Sequence, residues 1–412
     1  MKNKKILWII NQYSNIPEFA GHTRQYELSV GLSKRNWEVE VFSSDFNLSQ
    51  RKYKKLKRFQ LILVEKIKNV TWNWIKVLPY KKNNYLRYLN LISFCLNLLL
   101  ILNLKTLSGK LLKKMPNIIL ASSPQLPAAF FTFLFAKFFR IKFVLEVRDL
   151  WPQVLIDSNE KNNLFIIKVL IFMEKILYKY SELIIVLTNG AKRYIKNKGG
   201  KNIICLPNGP DINEFQFKDL PFEKNRFNDK RKFLILYAGA HGKVNGLMNV
   251  LKAASLIKKY PIEFHFVGDG TEKEKLISAS RKMNNIKFFD PVPKYKMPKL
   301  IAKYDAILLS LEKISLFKYG VSPNKLYDAY AIGRPVISTV AGEVNREIDK
   351  FNLGITSNPN DPLNLANAIT SLFKKTRKER EDMGKNARRC AEKYYSRDLI
   401  IRKLNRSLSQ II

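Results

Sequence analysis

A chain of 412 residues exceeds what one ordinary hydrophobic core serves, and predicts two domains. Its 73 Lys and Arg against 34 Asp and Glu leave a formal charge of +39, a balance that favours polyanions: nucleic acid, anionic lipid or phosphorylated ligands. Three widely spaced cysteines, Cys95, Cys205 and Cys390, exclude a disulfide framework and zinc-finger spacing, and fit a reduced, cytosolic compartment.

Lys2, Lys4 and Lys5 precede an apolar run, Ile6 to Ile10, that ends at Asn11-Gln12. It is too short for a secretory core segment and reads as a buried strand. A helix is expected from His22 ("HTRQYELSVGLSKR") and an alternating strand from Trp37 ("WEVEVFSS"). Further strands are expected at Asn117, Phe143 and Leu183, with Cys205 as a small core residue of its own apolar run. A second series follows at Phe233, Glu263, Ile286, Ala306 and Pro335, with helical stretches between. Such alternation predicts doubly wound parallel sheets: an α/β chain of two Rossmann-like domains facing a cleft. The polar, turn-rich stretch 206–232 marks the boundary. The expected parts are an N-terminal domain, 1–205, a second domain, 206–390, and a C-terminal helix, 391–412.

Two segments of the first half depart from an ordinary soluble domain. "RKYKKLKR", Arg51 to Arg58, carries six basic residues in eight. "LNLISFCLNLLLILNL", from Leu89 to Leu104, is nearly all apolar, with Asn90, Ser93 and Asn97 forming a narrow polar stripe. It is too short and interrupted to span a bilayer, and reads as a core helix or as an interfacial one. The aromatic stretch from Phe130 raises the same alternatives, with Lys137 and Arg140 able to snorkel. Beside the basic tract, these segments lead us to expect peripheral contact with an anionic membrane.

Candidate polar residues fall where open parallel sheets bind ligands, beyond the strand ends. Gly21 follows the first strand. Arg148 and Asp149 follow another, where they act on a substrate or form a plain surface ion pair. Gly239, His241, Gly242 and Lys243 lie between a strand and a helix, and Gly268, Asp269 and Gly270 occupy a second such turn. In "SPNKLYDAYAIGRPVI", Ser322 reads as an N-cap with Pro323 at the first helical position and Gly333 as the stop. Lys325 then sits in the first turn, where the helix dipole disfavours a cation unless an anion is bound there. Asp328 lies one turn on, on the face of Asn324 and Lys325.

Over nearly its whole length the chain resembles the GT-B glycosyltransferases of family 4, a retaining group. The residues are "AGHTRQYELSVGLSKRNWEVEVFSS", "ICLPNGPDINEF", "FVGDG" and "SPNKLYDAYAIGRPVI". "ILASSPQLPAA" and "FVLEVRDLWPQ" are similar to a bacterial subgroup for O-antigen and capsule, including N-acetyl-fucosamine transferases. The resemblance implies sugar transfer from a nucleoside diphosphate sugar, a UDP-amino sugar, to a polyprenyl-diphosphate-linked saccharide at the inner face of the cytoplasmic membrane. It implies no cofactor or metal, since lysines replace Mg²⁺, and no nucleic acid partner. By position, Lys325 serves the leaving diphosphate and Asp328 replaces the second glutamate of the Glu-x7-Glu motif. The first glutamate falls at Gly320, leaving its role to backbone near Val321 and Ser322. His241 and Lys243 stand nearest the family's Arg/Lys pair, and Arg148 replaces a histidine. A sugar-nucleotide 2-epimerase of the same architecture, and a basic nucleic-acid-binding protein, are the alternatives.

Overall fold

The computed structural model describes residues 4–19, 21–47, 51–81, 85–111, 114–123, 125–157, 163–215 and 232–412. The chain divides into two compact units, Met1–Leu206 with Ile401–Ile412, and Pro207–Ile400. Residues 216–231 of the expected boundary stretch lie outside the described residues.

The first unit opens with β1 (Lys5–Ile10), α1 (Arg24–Ser33) and β2 (Trp37–Ser44), a parallel step with Leu7 opposite Val39. A short antiparallel pair follows, β3 (Phe46–Asn47) with β4 (Lys52–Tyr53), then a hairpin of β5 (Ile62–Ile67) and β6 (Val70–Ile75). Next come α2 (Tyr85–Leu111), β7 (Ile118–Ser122), α3 (Leu126–Phe138) and β8 (Lys142–Val147). The series ends with α4 (Gln153–Asp157), α5 (Leu164–Tyr180), β9 (Leu183–Val186), α6 (Asn189–Asn197) and β10 (Ile203–Cys205).

The eight strands run in the order β10-β9-β8-β7-β1-β2-β6-β5. They are parallel except for the β5–β6 pair, so an antiparallel edge strand corrects the expectation of an all-parallel sheet. The central strands are continuous apolar runs because helices cover both their faces. Strand order reverses at β1, whose neighbours are β2 and β7. Cys205, expected in the core, is half-buried on edge strand β10.

The second unit contains β11 (Phe233–Ala238), α7 (Leu247–Leu256), β12 (Ile262–Val267), α8 (Lys273–Ala279), β13 (Ile286–Phe289) and α9 (Met297–Ile301). It continues with β14 (Ala306–Leu309), α10 (Asn324–Ile332), β15 (Val336–Ser338), α11 (Glu343–Phe351) and β16 (Gly354–Thr356). Helices α12 (Pro362–Lys374), α13 (Arg377–Cys390) and α14 (Arg397–Gln410) close the chain. The parallel sheet has the order β13-β12-β11-β14-β15-β16, with its reversal between β11 and β14.

Residues 391–400, expected to leave with the C-terminal helix, stay with the second unit. Within the first unit, the Trp37 indole donates to Asn405 Oδ1 at 2.7 Å and Lys5 Nζ to Ser409 Oγ at 2.9 Å. Gly31 leaves room for Ile401, whose Cδ1 would lie 2.2 Å from an added Cβ.

Candidate active site

In the second unit two strand-end turns interlock. The Gly239 amide donates to Val267 O at 2.9 Å and the His241 amide to Asp269 O at 2.8 Å. A Cβ on Gly268 would lie 2.0 Å from the Gly239 carbonyl oxygen, and one on Gly270 2.6 Å from the His241 carbonyl. These glycines are thus required by the close approach of backbone to backbone.

Lys325 reaches this pair of turns from α10. Its ammonium donates to the Tyr237 hydroxyl at 3.0 Å and sits 4.1 Å from the ring centroid. An added Cβ on Gly239 would lie 3.1 Å from Lys325 Nζ. The Tyr237 hydroxyl donates in turn to Ala240 O at 2.8 Å. Burial pushes the Lys325 pKa down to about 7, so the amine titrates near neutrality.

The cap of α10 differs from expectation. Pro323, with φ −77° and ψ 133°, is the N-cap, and Ser322 lies outside the helix. Proline fixes the entry but has no capping oxygen, so the Ser322 hydroxyl is used elsewhere. It accepts from the Asn208 amide at 2.9 Å and pairs with the Tyr327 hydroxyl at 3.0 Å, while Asn208 Nδ2 donates to Ser322 O at 2.7 Å. "PNGPD" therefore acts as a clasp on the start of α10, and Gly209 fits because a Cβ there would meet Tyr395 O at 1.9 Å. Asn324 is exposed as the first helical residue, Asp328 is half-buried in the second turn, and half-buried Val321 packs on the core. Gly320 has φ +86°, a conformation that would strain a glutamate.

His241 and Lys243 part company. The His241 ring is fully buried, with ring centroids of Tyr237 and Phe288 each 6.0 Å away. Burial lowers its pKa, with Lys273 and Lys325 adding to the effect over the opposing pull of Asp269. Both ring nitrogens are buried without a hydrogen-bond partner among the described residues, and Nε2 lies 3.4 Å from where a Cβ on Gly268 would stand. Lys243 is exposed in a single helical turn and takes no part in the Lys325–Tyr237 contacts.

The first unit gathers a second cluster at the β1–β7 reversal and the neighbouring end of β8. Gly21 is exposed with φ +74°, and nothing lies within 4 Å of its would-be Cβ. Arg148 and Asp149 follow β8, Arg148 half-buried and Asp149 exposed. Arg148 Nη1 donates to Gln25 Oε1 at 3.5 Å.

Behind them is a residue that sequence reasoning missed. Glu146 is completely buried, 2.8 Å from Arg24 Nε and 2.6 Å from Gln25 Nε2, and it accepts from the Ser122 hydroxyl. Burial raises its pKa, but Arg24, Arg148 and Ser122 outweigh that and hold it below the usual range. Its signal was a glutamate inside the apolar run "FVLEV", in a strand buried on both faces.

The basic tract is largely committed internally. Lys54 donates to Asn15 Oδ1 at 2.9 Å and lies 4.4 Å from the Trp74 ring centroid, while Lys55 pairs with Glu65 at 2.8 Å. Of its basic residues only Lys52, Lys57 and Arg58 are exposed. A pocket of about 200 Å³, partly open to solvent, lies among Ser310, Thr339, Asn358 and Asn360. It is smaller than ordinary ligand sites and contains none of the residues above.

Residues 218–390 match the family described as Glycosyl transferases group 1. Over 241 residues the chain is 25% identical to the probable glycosyltransferase WbjE of Pseudomonas aeruginosa, covering 56% of this chain and 60% of that one. Over 152 residues it is 31% identical to the putative colanic acid biosynthesis glycosyl transferase WcaI of Escherichia coli K12, covering 35% and 36%. The chain thus matches 60% or less of the length of these curated relatives. Among solved structures it is similar to a sucrose-phosphate synthase of Thermosynechococcus elongatus, at 15% identity over 99% of both chains with a TM-score of 0.74. It is also similar to Anabaena HepE in complex with UDP and glucose, at 15% identity over 98% and 99% with a TM-score of 0.67. These likenesses establish the GT-B fold, and the second half of the chain carries a glycosyltransferase group 1 domain.

Proposed function

We propose that this protein moves a sugar, an amino sugar carried on UDP, to a polyprenyl-diphosphate-linked saccharide in surface polysaccharide synthesis. The reaction retains anomeric configuration, as in family 4, runs without a metal, and takes place peripherally at the inner face of the cytoplasmic membrane. The observation that carries the reading is Lys325: a first-turn lysine, short of hydration, held against a glycine-cleared strand end. A relative named for colanic acid biosynthesis, and a fold neighbour holding UDP, support it.

The chemistry needs stabilisation of a departing nucleoside diphosphate. Lys325 supplies a cation beside the α10 N-terminus, whose amides and dipole favour the same charge. Gly239 lets the diphosphate approach the backbone, and Asp328 accepts from the ribose hydroxyls. The leaving phosphate takes the acceptor's proton, so no protein base is needed. Arg148 and Asp149 hold the acceptor or the transferred sugar.

The test is a panel of UDP-sugars with a polyprenyl-diphosphate-linked acceptor, read by UDP release and product mass, with and without chelator. Transfer that survives chelation supports the proposal. UDP-sugar binding too weak to detect, or transfer abolished by chelator and restored by Mg²⁺, would contradict it.

A further inference from the structure

Helix α2 buries one apolar face, with Phe94, Leu98 and Leu102 in the core, and leaves a second apolar face exposed. Its polar stripe points into the protein: Asn90 Nδ2 donates to Leu78 O at 2.6 Å, Ser93 Oγ accepts from the Leu78 amide at 2.9 Å, and Asn97 Nδ2 donates to Lys76 O at 2.8 Å. Gln12 Nε2 adds a bond to Asn90 Oδ1 at 2.8 Å. The opposite face carries Tyr88, Ile92, Leu96, Leu100 and Leu104, exposed by 55%, 53%, 64%, 49% and 56%. A water-facing helix carries charged and polar residues on that outer face.

The apolar face does not stop at α2. Helix α3 packs beside it and exposes Phe131, Leu134 and Phe138. Helix α5 packs beside α3, with Phe130 and Phe172 ring centroids 6.4 Å apart, and exposes Leu164, Phe165, Ile171 and Phe172. The three helices together expose a broad apolar surface, and α2 alone is about 40 Å long from its 27 residues; Tyr85–Gly109 is thus long and apolar enough to cross a membrane, which corrects the expectation of a run too short to span. Exposed apolar surface on this scale marks an interaction site.

Charge identifies the occupant. Helices α2 and α3 contain no Asp or Glu. The single carboxylate of α5, Glu174, is buried and paired with Lys198 at 2.7 Å. Exposed cations are interleaved with the apolar residues: Lys168, Lys175 and Lys179 on α5, and Arg140 and Lys142 just after α3. A second copy docking here would bring like charges together. We propose that α2, α3 and α5 form a monotopic docking face for an anionic lipid bilayer, lying in the interface with lysines reaching the headgroups. Because the polar stripe of α2 is hydrogen-bonded within the unit, the helix lies on the membrane and does not cross it.

The test is co-sedimentation of the full chain with phosphatidylglycerol vesicles and with phosphatidylcholine vesicles, without sugar nucleotide. Failure here is thereby separate from failure of the sugar-transfer reading. The expected result is partitioning about tenfold stronger on the anionic vesicles, shrinking at high salt. Ile92→Gln with Leu96→Gln and Leu100→Gln on α2, and separately Phe165→Ser with Phe172→Ser on α5, each weaken it about tenfold with thermal melting unchanged. Should either set fail to fold, Leu96→Gln or Phe165→Ser alone gives the same reading at smaller size. Overturning results are binding indifferent to both sets, no anionic preference, a stable dimer that these substitutions split, or protein that alkaline carbonate cannot extract.

Discussion

Lys325 and Tyr237 form a cation-on-phenol pair: the ammonium donates to the hydroxyl at 3.0 Å and lies 4.1 Å from the ring centroid. Lost hydration is what pulls the amine down to about 7. A diphosphate arriving beside it favours the charged form and moves the pKa back up. Above pH ~7, donor binding therefore takes up a proton, and well below it no uptake occurs. Calorimetry of UDP-sugar binding, whose diphosphate has no group titrating near neutrality, in buffers of different ionisation heat should count close to one proton at about pH 8 and close to none at about pH 6. No uptake at either pH would remove Lys325 from the diphosphate.

Lys325→Ala and Asp328→Ala should fail differently. Charge on the leaving group grows in the transition state, so losing Lys325 should lower kcat by about 2–4 kcal/mol in barrier, roughly thirtyfold to a thousandfold. The ribose hydroxyls change little, so Asp328→Ala should mainly weaken nucleotide affinity, by about 1.5–3 kcal/mol. Asp328→Glu keeps the carboxylate and much of the affinity. Initial rates with nucleotide titrations decide, and two alanine variants near wild type would end the assignment.

His241→Phe tests what the buried ring contributes. The imidazole is buried against Tyr237 and Phe288, so an aromatic of similar breadth should fold and retain donor affinity within about threefold. A hundredfold loss of UDP affinity in a folded variant would return the ring to the donor site.

The apolar strands at Ile6, Phe143 and Leu183 were legible because fully buried parallel strands are uninterrupted hydrophobic runs. The hairpin of Ile62–Ile67 and Val70–Ile75 was not, since its edge strand mixes charges with apolar residues and pairs antiparallel. Lys325 was visible because its charge opposes the helix dipole. Ser322 was misjudged because Pro323 takes the cap and Asn208, far away in sequence, claims the hydroxyl. Glu146 was passed over because a period-based reading scores one charge in an apolar strand as noise, whereas its partners Arg24 and Gln25 meet it only in the fold.

Gly268→Ala should be severe for a reason independent of ligand. The new methyl carbon would sit 2.0 Å from the Gly239 carbonyl oxygen, a backbone atom that no rotamer change can move. A loss of about 2–4 kcal/mol is expected in denaturant unfolding. Gly21→Ala meets open space, and its cost reflects only φ +74°, about 1 kcal/mol. Equal effects at the two positions would contradict the interlocked turns.

The last prediction concerns the charge that organises the first unit. Glu146 and Arg24 are 2.8 Å apart with side-chain exposures of 0% and 7%. Glu146→Gln preserves shape but leaves Arg24 a buried cation without its counter-ion, which should cost about 3–5 kcal/mol. Replacing both, Glu146→Leu with Arg24→Met, should recover part of that, because no buried charge is stranded. Recovery stays incomplete, since Gln25 and Ser122 also lean on the carboxylate. The native pKa of Glu146 is depressed, so its contribution is fully present above the unfolded value, near 4.3, and fades as pH falls through the lower native value. The stability gap between wild type and Glu146→Gln should accordingly be full at neutral pH and close below about pH 4. Urea melts across that range measure it, and a Glu146→Gln variant within about 0.5 kcal/mol of wild type at neutral pH would show that the cluster does not hold this unit together.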